Sequence, residues 1–335
     1  MTILLALLAG SGLGYILERG DFCFHSTLRG LFRTPQRLDL FRAYLLVLLI
    51  ATPLVGLMRW QGWIDPWIPP FAWQANLVGG LIFGVGMVVA ATCVTGMFYK
   101  LGHGMLGVLV AMAAWAAGDI LTYVGPLSPL REALNRSVIT ADGAPATLLN
   151  IGGATTGVIL LAALAAAMFF YLWRAPRKPR SPLWGWLLLG VAAGLFTSLA
   201  WLVAKAGGSN YTYGTSYVPT TIFLWARNGA GFDLWIPLAL FAIIPGALAA
   251  AKFSGTLWVR GESGRRYAEL GAGGLLMGTG AAISGGCNLG HSLVGVPLLS
   301  LGSITATLAM ALGVFVAHNV AKRIGRVQNE SAFRD

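Results

Sequence analysis

The chain has 335 residues, 56% hydrophobic and 10% charged, with a mean hydropathy of +0.72 and a formal net charge of +11. A soluble domain of ordinary composition is about 45–50% apolar and about 25% charged, so a soluble enzyme of normal type and a disordered chain are both excluded. The positive charge does not point to nucleic acid, because the basic residues lie in short loops between apolar stretches, the distribution of a polytopic membrane protein.

The first apolar run, Ile3 to Leu17, ends at Glu18-Arg19 with no small-residue cleavage site, which predicts a short transmembrane helix and not a signal peptide. Further spans are predicted at 41–59, 74–91, 104–124, 148–173, 183–204, 234–257, 268–284 and 302–321, nine in all. With nine alternating helices, four basic groups share one side. They are Arg19, Arg29, Arg33, Arg37 and Arg42; Arg174, Arg177, Lys178 and Arg180; Arg260, Arg265 and Arg266; and Lys322, Arg323, Arg326 and Arg334. The other side holds Arg59, Arg131, Arg136, Lys205 and Arg227. This asymmetry predicts an outside N-terminus and a cytoplasmic C-terminus. The proline-rich stretch 174–182 predicts a cytoplasmic linker between an N-terminal transmembrane half, 1–173, and a C-terminal one, 183–321, followed by a cytoplasmic tail, 322–335.

The halves echo each other. Gly80, Gly84, Gly86, Cys93 and Gly96 recur as Gly274, Gly278, Gly280, Cys287 and Gly290, each displaced by 194 residues. A weaker echo pairs Gly10 and Gly14 with Gly190 and Gly194, and sets Cys23 opposite Val203. Partners in both pairs of helices are an odd number of spans apart, so they run in opposite directions, as in the inverted repeats of many secondary transporters. The plainer reading of any one GxxxG is close helix packing; a cysteine carried in the same register goes beyond it.

Four segments interrupt the apolar pattern: Phe22 to Thr27, Ala91 to Gly96, Gly207 to Ser216, and Ser284 to Ser292. Irregular backbone at membrane depth survives only where protein or a watery cavity covers it. Such breaks free backbone N–H groups at the starts of short helices, which favour anions. All three cysteines, Cys23, Cys93 and Cys287, fall in these breaks, and their spacing rules out a disulfide framework and a CxxC motif. A lone membrane cysteine is most often a small apolar filler; three of them in three breaks favour a thiol-lined route. The expected architecture is an all-α polytopic membrane protein of about nine helices, with short half-helices, central loops and two inverted pseudo-symmetric halves.

Gly20-Asp-Phe-Cys-Phe24, the glycine-spaced segment ending in Cys93, and Ser284-Gly-Gly-Cys-Asn-Leu-Gly-His291 resemble the YeeE/YedE family of bacterial membrane proteins. The resemblance implies pseudo-symmetric halves with loops dipping to the centre, the three cysteines along a substrate route, and uptake of thiosulfate through a bacterial inner membrane. It also implies a TusA-like sulfur-carrier protein as a cytoplasmic partner, and for some relatives a role in selenium metabolism. The candidate substrate site comprises Cys23, Cys93, Cys287, Gly96, Gly286, Asn288, Gly290 and His291, with no catalytic residue, no metal and no cofactor expected. Neutral thiols would serve as weak donors that a dianion can leave, as conduction requires. The competing reading is a membrane sulfurtransferase that takes the outer sulfur of thiosulfate as a cysteine persulfide. A quinone-linked thiol oxidase would need paired cysteines, and for a serine protease Ser284 and His318 offer only residue type. His25 and His103 are expected at the interface, Asp119 and His318 inside spans, Asp119 bonding a neighbouring helix. Trp60, Trp63, Trp67 and Trp73 are expected in an aromatic belt.

Overall fold

A computed structural model of the chain describes residues 1–33, 35–177 and 183–323. The expectations for Lys178 and Arg180 in the linker, and for Arg326 and Arg334 in the tail, fall outside them. The first half holds α1 (Thr2–Gly20), α2 (Phe24–Phe32), α3 (Asp39–Trp60), α4 (Trp73–Ala90), α5 (Val94–His103), α6 (Val108–Tyr123) and α7 (Ser128–Asn135). A two-residue hairpin, Thr140–Ala141 with Ala144–Pro145, precedes α8 (Ala154–Trp173). The second half holds α9 (Trp186–Ala206), α10 (Val218–Asn228), α11 (Trp235–Phe241), α12 (Ile243–Phe253) and α13 (Gly264–Ser284). A π-helical turn, Leu289–Gly295, then leads to α14 (Leu301–Arg323).

The protein is an all-α, multi-pass membrane protein. All nine expected stretches coincide with helices, the seventh divided into α11 and α12 because Pro245 has no amide with which to continue the ladder. By length and apolarity, seven helices or near-continuous helix pairs among the described residues can cross a membrane, or eight if α6 and α7, bent by 67°, make one span. Helix α13 is 21 residues long, but its glycines and the Arg265, Arg266 and Glu269 of its first turns lower its hydropathy.

Glycine decides how these helices approach one another. A Cβ on Gly80 would lie 2.7 Å from the Ala306 carbonyl oxygen on α14, and one on Gly278 would lie 2.9 Å from the Asp119 amide on α6. Gly84 likewise meets α14, at Met310, and Gly274 meets α6, at Ala111. Gly86 faces Gly273 across the α4–α13 contact, and Gly280 faces Gly79 and Phe83 across the same contact. Gly10 and Gly14 abut Ala239 and Ile243 of the α11–α12 pair, while Gly190 and Gly194 abut Leu46 and Ile50 of α3. Glycines that share a sequence register thus pack on exchanged partners, and the missing side chains let backbones touch. Helix α8 stands apart. Only Gly157 and Leu172 of it are buried, it packs on α3, and Val158, Ile159 and Leu160 are exposed as lipid contacts would be.

Three breaks share one construction. Asp21, Ala91 and Gly285 end α1, α4 and α13 in the left-handed region, with φ of 45°, 47° and 78°. The next amide, of Phe22, Thr92 or Gly286, bonds the carbonyl five residues back, of Leu17, Met87 or Ala281, which is the Schellman cap. The residue after that is Cys23, Cys93 or Cys287. Helix α9 ends the same way, with Gly208 at φ 84° and the Ser209 amide on the Ala204 carbonyl. The residue in the cysteine position there is Asn210. The expected counterpart Val203 lies inside α9, so the glycine echo misplaced the equivalence by several residues.

Candidate functional site

The Schellman caps turn the chain so that each cysteine starts a new helical segment. Cys93 is the N-cap of α5, and its sulfur accepts the Gly96 amide at 3.2 Å. Cys23 is the N-cap of α2, with the Ser26 amide at the same i+3 place. Cys287 precedes the π-helical turn, and its sulfur accepts the Leu289 amide at 3.2 Å, with the Gly290 amide again at i+3. A helix start presents free N–H groups and the positive end of the dipole. Three thiols therefore occupy the places where a helix would hold an anion.

The centre of the site is Cys93. The Cys23 thiol donates to its sulfur at 3.5 Å, and the Asn288 side-chain amide donates at 3.6 Å. Asn288 also donates to the Thr95 hydroxyl at 3.1 Å, linking the break after α13 to the start of α5. The Phe24 amide faces the same sulfur. Gly96 is required at this spot, because a Cβ would stand 2.5 Å from the Thr92 hydroxyl and 3.1 Å from the Cys23 sulfur. The third thiol, Cys287, immediately precedes Asn288 in the chain, so Asn288 ties its break to the Cys93 sulfur. The buried side-chain carbonyl oxygen of Asn288 has no partner. All three thiols are free and fully buried, so the site is closed to solvent in this conformation.

The remaining expected residues divide. Gly290 belongs with Cys287, and its carbonyl accepts the Tyr211 hydroxyl at 2.8 Å. A Cβ there would meet nothing closer than 3.8 Å, so the sequence motif's glycine is not demanded by space. Gly286 lies flat under the His291 ring, where a Cβ would stand 2.8 Å from the imidazole Nε2. His291 is engaged through both nitrogens, Nε2 to the Ser284 carbonyl at 3.1 Å and Nδ1 to the Ser303 hydroxyl at 3.0 Å. The carbonyl can only accept, so Nε2 carries the proton and Nδ1 accepts from Ser303. His291 pins the break to α14 and does not touch Asn288.

Side-chain donors, several of them cationic, cap the negative helix ends that precede the thiols. The Arg266 guanidinium donates to the last carbonyls of α4, those of Val89 at 3.4 Å and of Ala90. At the end of α13, Arg131 donates to the Ala282 carbonyl at 3.0 Å, Asn135 to Ile283 at 3.1 Å and Asn76 to Ser284 at 3.0 Å. On the α1 side, Tyr99 donates to Asp21 at 2.8 Å, His103 meets Glu18 at 2.5 Å, and Arg19 reaches Ser254. His25, expected at the interface, is buried within the protein near the cationic Arg29, Lys100 and Arg266. Asp119 bonds the start of α10, accepting from the Tyr217 amide at 2.9 Å and the Thr220 hydroxyl at 2.6 Å. Trp60, Trp63 and Trp73 are exposed at one end of the helices, but Trp67 also packs edge-on against Tyr211 at 5.5 Å.

Thr92, Thr95 and Tyr211 were not expected at the site. Thr92 and Thr95 flank Cys93 in the sequence, and the register of an N-cap helix would have pointed to Thr95.

This constellation sits on a chain whose residues 19–316 match the model of the Sulphur transport family. The protein belongs to that family. Among members of known name, the chain is 31% identical to the thiosulfate transporter TsuA of Spirochaeta thermophila, over 92% of this chain and 95% of that protein. It is 26% identical to the thiosulfate transporter TsuA of Escherichia coli, over 94% of this chain and 93% of that protein. A shorter stretch, 30% of this chain and 25% of the relative, is 32% identical to the probable transporter YedE of Escherichia coli. The family match spans all three cysteine breaks and both sets of registered glycines from Gly80 onward.

Proposed function

We propose that this protein carries thiosulfate inward across a bacterial inner membrane, with the thiols of Cys23, Cys93 and Cys287 as successive hydrogen-bonding stations. The observation that carries the reading is the arrangement of three buried thiols, each at a helix start, joined through Asn288. The thiosulfate transporters that align along nearly the whole chain support the choice of ion. Thiosulfate is a dianion with a soft terminal sulfur and three oxygens. A bare low-dielectric route repels it, and a fixed Arg beside it would delay release. Here Arg131 and Arg266 are occupied by helix-end carbonyls, and the groups gathered at the helix starts are thiols and backbone amides. Neutral weak donors let an ion arrive and leave.

In the same proposal, the exchanged glycine contacts reflect two inverted halves, with α8 as the connector that reverses the second half. The N-terminus lies outside and the C-terminus in the cytoplasm, on the charge asymmetry of the loops. A cytoplasmic-only reporter fused after Asp335 should be active; activity of a periplasm-only reporter would overturn both the orientation and the inversion. Delivered thiosulfate would pass to an acceptor such as a TusA-like sulfur carrier.

One observation favours a second reading. The donors that converge on the Cys93 sulfur would also hold a thiolate. Such a thiolate could attack the outer sulfur, breaking the sulfur–sulfur bond so that sulfite leaves with the bonding electron pair and a Cys93 persulfide remains. Uptake of thiosulfate labelled separately at its two sulfurs, by cells lacking other sulfur importers, separates the readings. Equal entrance of both labels is expected for intact transport, and import of the outer sulfur alone would mean transfer. No import of either label would sink the transport reading.

A further inference from the structure

Between α9 and α10 the chain forms a strap, residues 209–217, that leaves the surface at Asn210, is buried from Tyr211 to Tyr213 and again at Thr215, and returns to the surface at Tyr217. Buried backbone normally runs in regular structure, so a strap at this depth has to be held individually. Trp235 donates from its indole to the Thr212 carbonyl at 2.8 Å, Tyr213 donates to the Ala9 carbonyl at 3.0 Å, and Ser216 donates to the Ala281 carbonyl at 3.0 Å. The strap crosses the Cys287 break, where the Gly214 Cα lies 3.9 Å from the Cβ position of Gly290.

Two hydroxyls of this strap are buried without a strong acceptor or donor. Thr212 and Thr215 are 1% and 0% exposed; the Thr212 hydroxyl has no partner, and the Thr215 hydroxyl has only the Cys287 sulfur, a weak one. Thr215 lies beside the Cys287 sulfur. A buried hydroxyl gives up its hydration, and nearly all such groups regain a hydrogen bond within the protein or to ordered water. Two such hydroxyls on one strap, next to a thiol at a helix start, are donors that an anion could engage.

A cavity adjoins the start of the strap. A cavity of about 270 Å³ is bounded by Asp65, Trp201, Lys205, Ser209 and Asn210 among others, so the strap's first residues form part of its wall. Below it the Tyr211 ring is wedged edge-on between Trp67, at 5.5 Å, and Trp201, at 5.8 Å, with its hydroxyl latched to the Gly290 carbonyl. Lys205 gives the vestibule a cation and Trp201 is shared between the vestibule and the latch.

We propose that Thr212 and Thr215 form a hydroxyl station that takes the oxygens of a tetrahedral sulfur oxyanion arriving from this vestibule, and that Tyr211 is the gate between the two. The proposal rests on the transport reading and adds the specificity element of its outer half. Hydroxyls are hard donors suited to oxygen, and thiols are soft ones suited to a terminal sulfur. A site with Thr215 on one side and Cys287 on the other grips both ends of an ion such as thiosulfate while carrying no charge of its own. Opening requires the Tyr211 hydroxyl to leave the Gly290 carbonyl, which joins the gate to the residue next but two after Cys287.

The test uses the full-length protein, with labelled thiosulfate uptake in cells and thermal unfolding of the purified protein in detergent. Thr215→Val removes the hydroxyl and keeps the shape. It should raise the half-saturation concentration at least tenfold and abolish the upward Tm shift that thiosulfate gives the wild type. The Tm without ligand should be unchanged or higher, because a buried hydroxyl whose only partner is a thiol contributes little to the fold. Thr215→Ser should restore both readouts, and Thr212→Val should shift affinity in the same direction as Thr215→Val. Wild-type half-saturation in Thr215→Val, or a Tm that falls together with uptake, would overturn the hydroxyl station; so would failure of the serine variant to restore. A wild-type protein that imports no thiosulfate would instead remove the transport reading on which the station rests.

Discussion

The sulfurs of Cys23 and Cys93 stand 3.5 Å apart, although the residues are separated by 70 positions and belong to different broken helices. A disulfide would need about 2.05 Å, so the two are a thiol pair in contact and not a bond. Their contact joins the break after α1 to the break after α4 and makes these helices sensitive to oxidation at one point.

From that contact follows a redox prediction. A membrane-permeant oxidant such as diamide, reduced to its hydrazine as the two thiols lose their hydrogens, should join Cys23 to Cys93 and stop uptake. Dithiothreitol should restore it. Mass spectrometry of peptides without reduction should find the Cys23–Cys93 link, and the Cys23→Ser variant should keep whatever uptake it has through the treatment. Oxidation that leaves uptake intact while the link forms would show that the pair lies off the route.

The two motif glycines nearest the thiols should behave differently. Gly96→Ala places a methyl 3.1 Å from the Cys23 sulfur and 2.5 Å from the Thr92 hydroxyl, so it should push into the thiol pair and lower uptake at least tenfold. Gly290→Ala meets nothing closer than 3.8 Å and should leave uptake within about twofold of wild type. Uptake assays normalised to protein in the membrane separate these outcomes; equal effects at the two positions would mean that the Gly96 contact does not limit the route.

Much of this was legible before any coordinates. Apolar stretches of membrane length announce themselves, and each expected one became a helix. Glycines at matching intervals were legible because a position that must admit another backbone tolerates no side chain. What the sequence hid depends on three dimensions. Asn288 reaches Thr95 across 193 positions, and no local pattern pairs them. The unpartnered state of the Thr212 hydroxyl exists only once every neighbour is placed. Asn210 was hidden because α9 runs further past Gly194 than α1 runs past Gly14, which shifts the cap relative to the glycine register and put Val203 in its stead. His25 follows a helix end, and only the fold shows that α2 continues the apolar stretch of α1 and packs the ring within the protein.

The exchanged glycine contacts give a stability prediction. On Gly84 a Cβ would come within 2.9 Å of Gly313 Cα, and on Gly278 within 2.9 Å of the Asp119 amide, so in both cases backbone would have to move. Overpacking of this kind costs about 1–3 kcal/mol. Gly84→Ala and Gly278→Ala should each lower the Tm in detergent and the yield of monodisperse protein, by similar amounts. Gly56, inside α3 with nothing within 4 Å of its Cβ position, is the control. Gly56→Ala should leave the Tm unchanged or slightly raised, since alanine loses less backbone entropy in a helix. A large loss in only one of the registered pair would speak against equivalent packing roles.

The role of the central thiol is open to the sharpest test. Cys93 accepts from the Cys23 thiol, the Gly96 amide and the Asn288 amide, and it lies where all three described cysteine breaks communicate. Cys93→Ala removes the sulfur these donors converge on and leaves a small void. Uptake should fall at least tenfold while the protein still inserts, because the cavity is one sulfur atom in size and the helices are held by glycine contacts elsewhere. Cys93→Ser keeps a donor of similar shape but exchanges a soft, weakly hydrated group for a harder one. It should be intermediate, losing affinity for thiosulfate without closing the route. If the thiols are stations and not nucleophiles, protein loaded with thiosulfate and quenched by alkylation should show only unmodified cysteines in mass spectrometry. A persulfide on Cys93 that disappears when a sulfur-carrier protein is added would replace the relay with sulfur transfer. Full uptake by the Cys93→Ala, Cys287→Ala double variant would remove both mechanisms and leave the cysteines as helix caps that only shape the breaks.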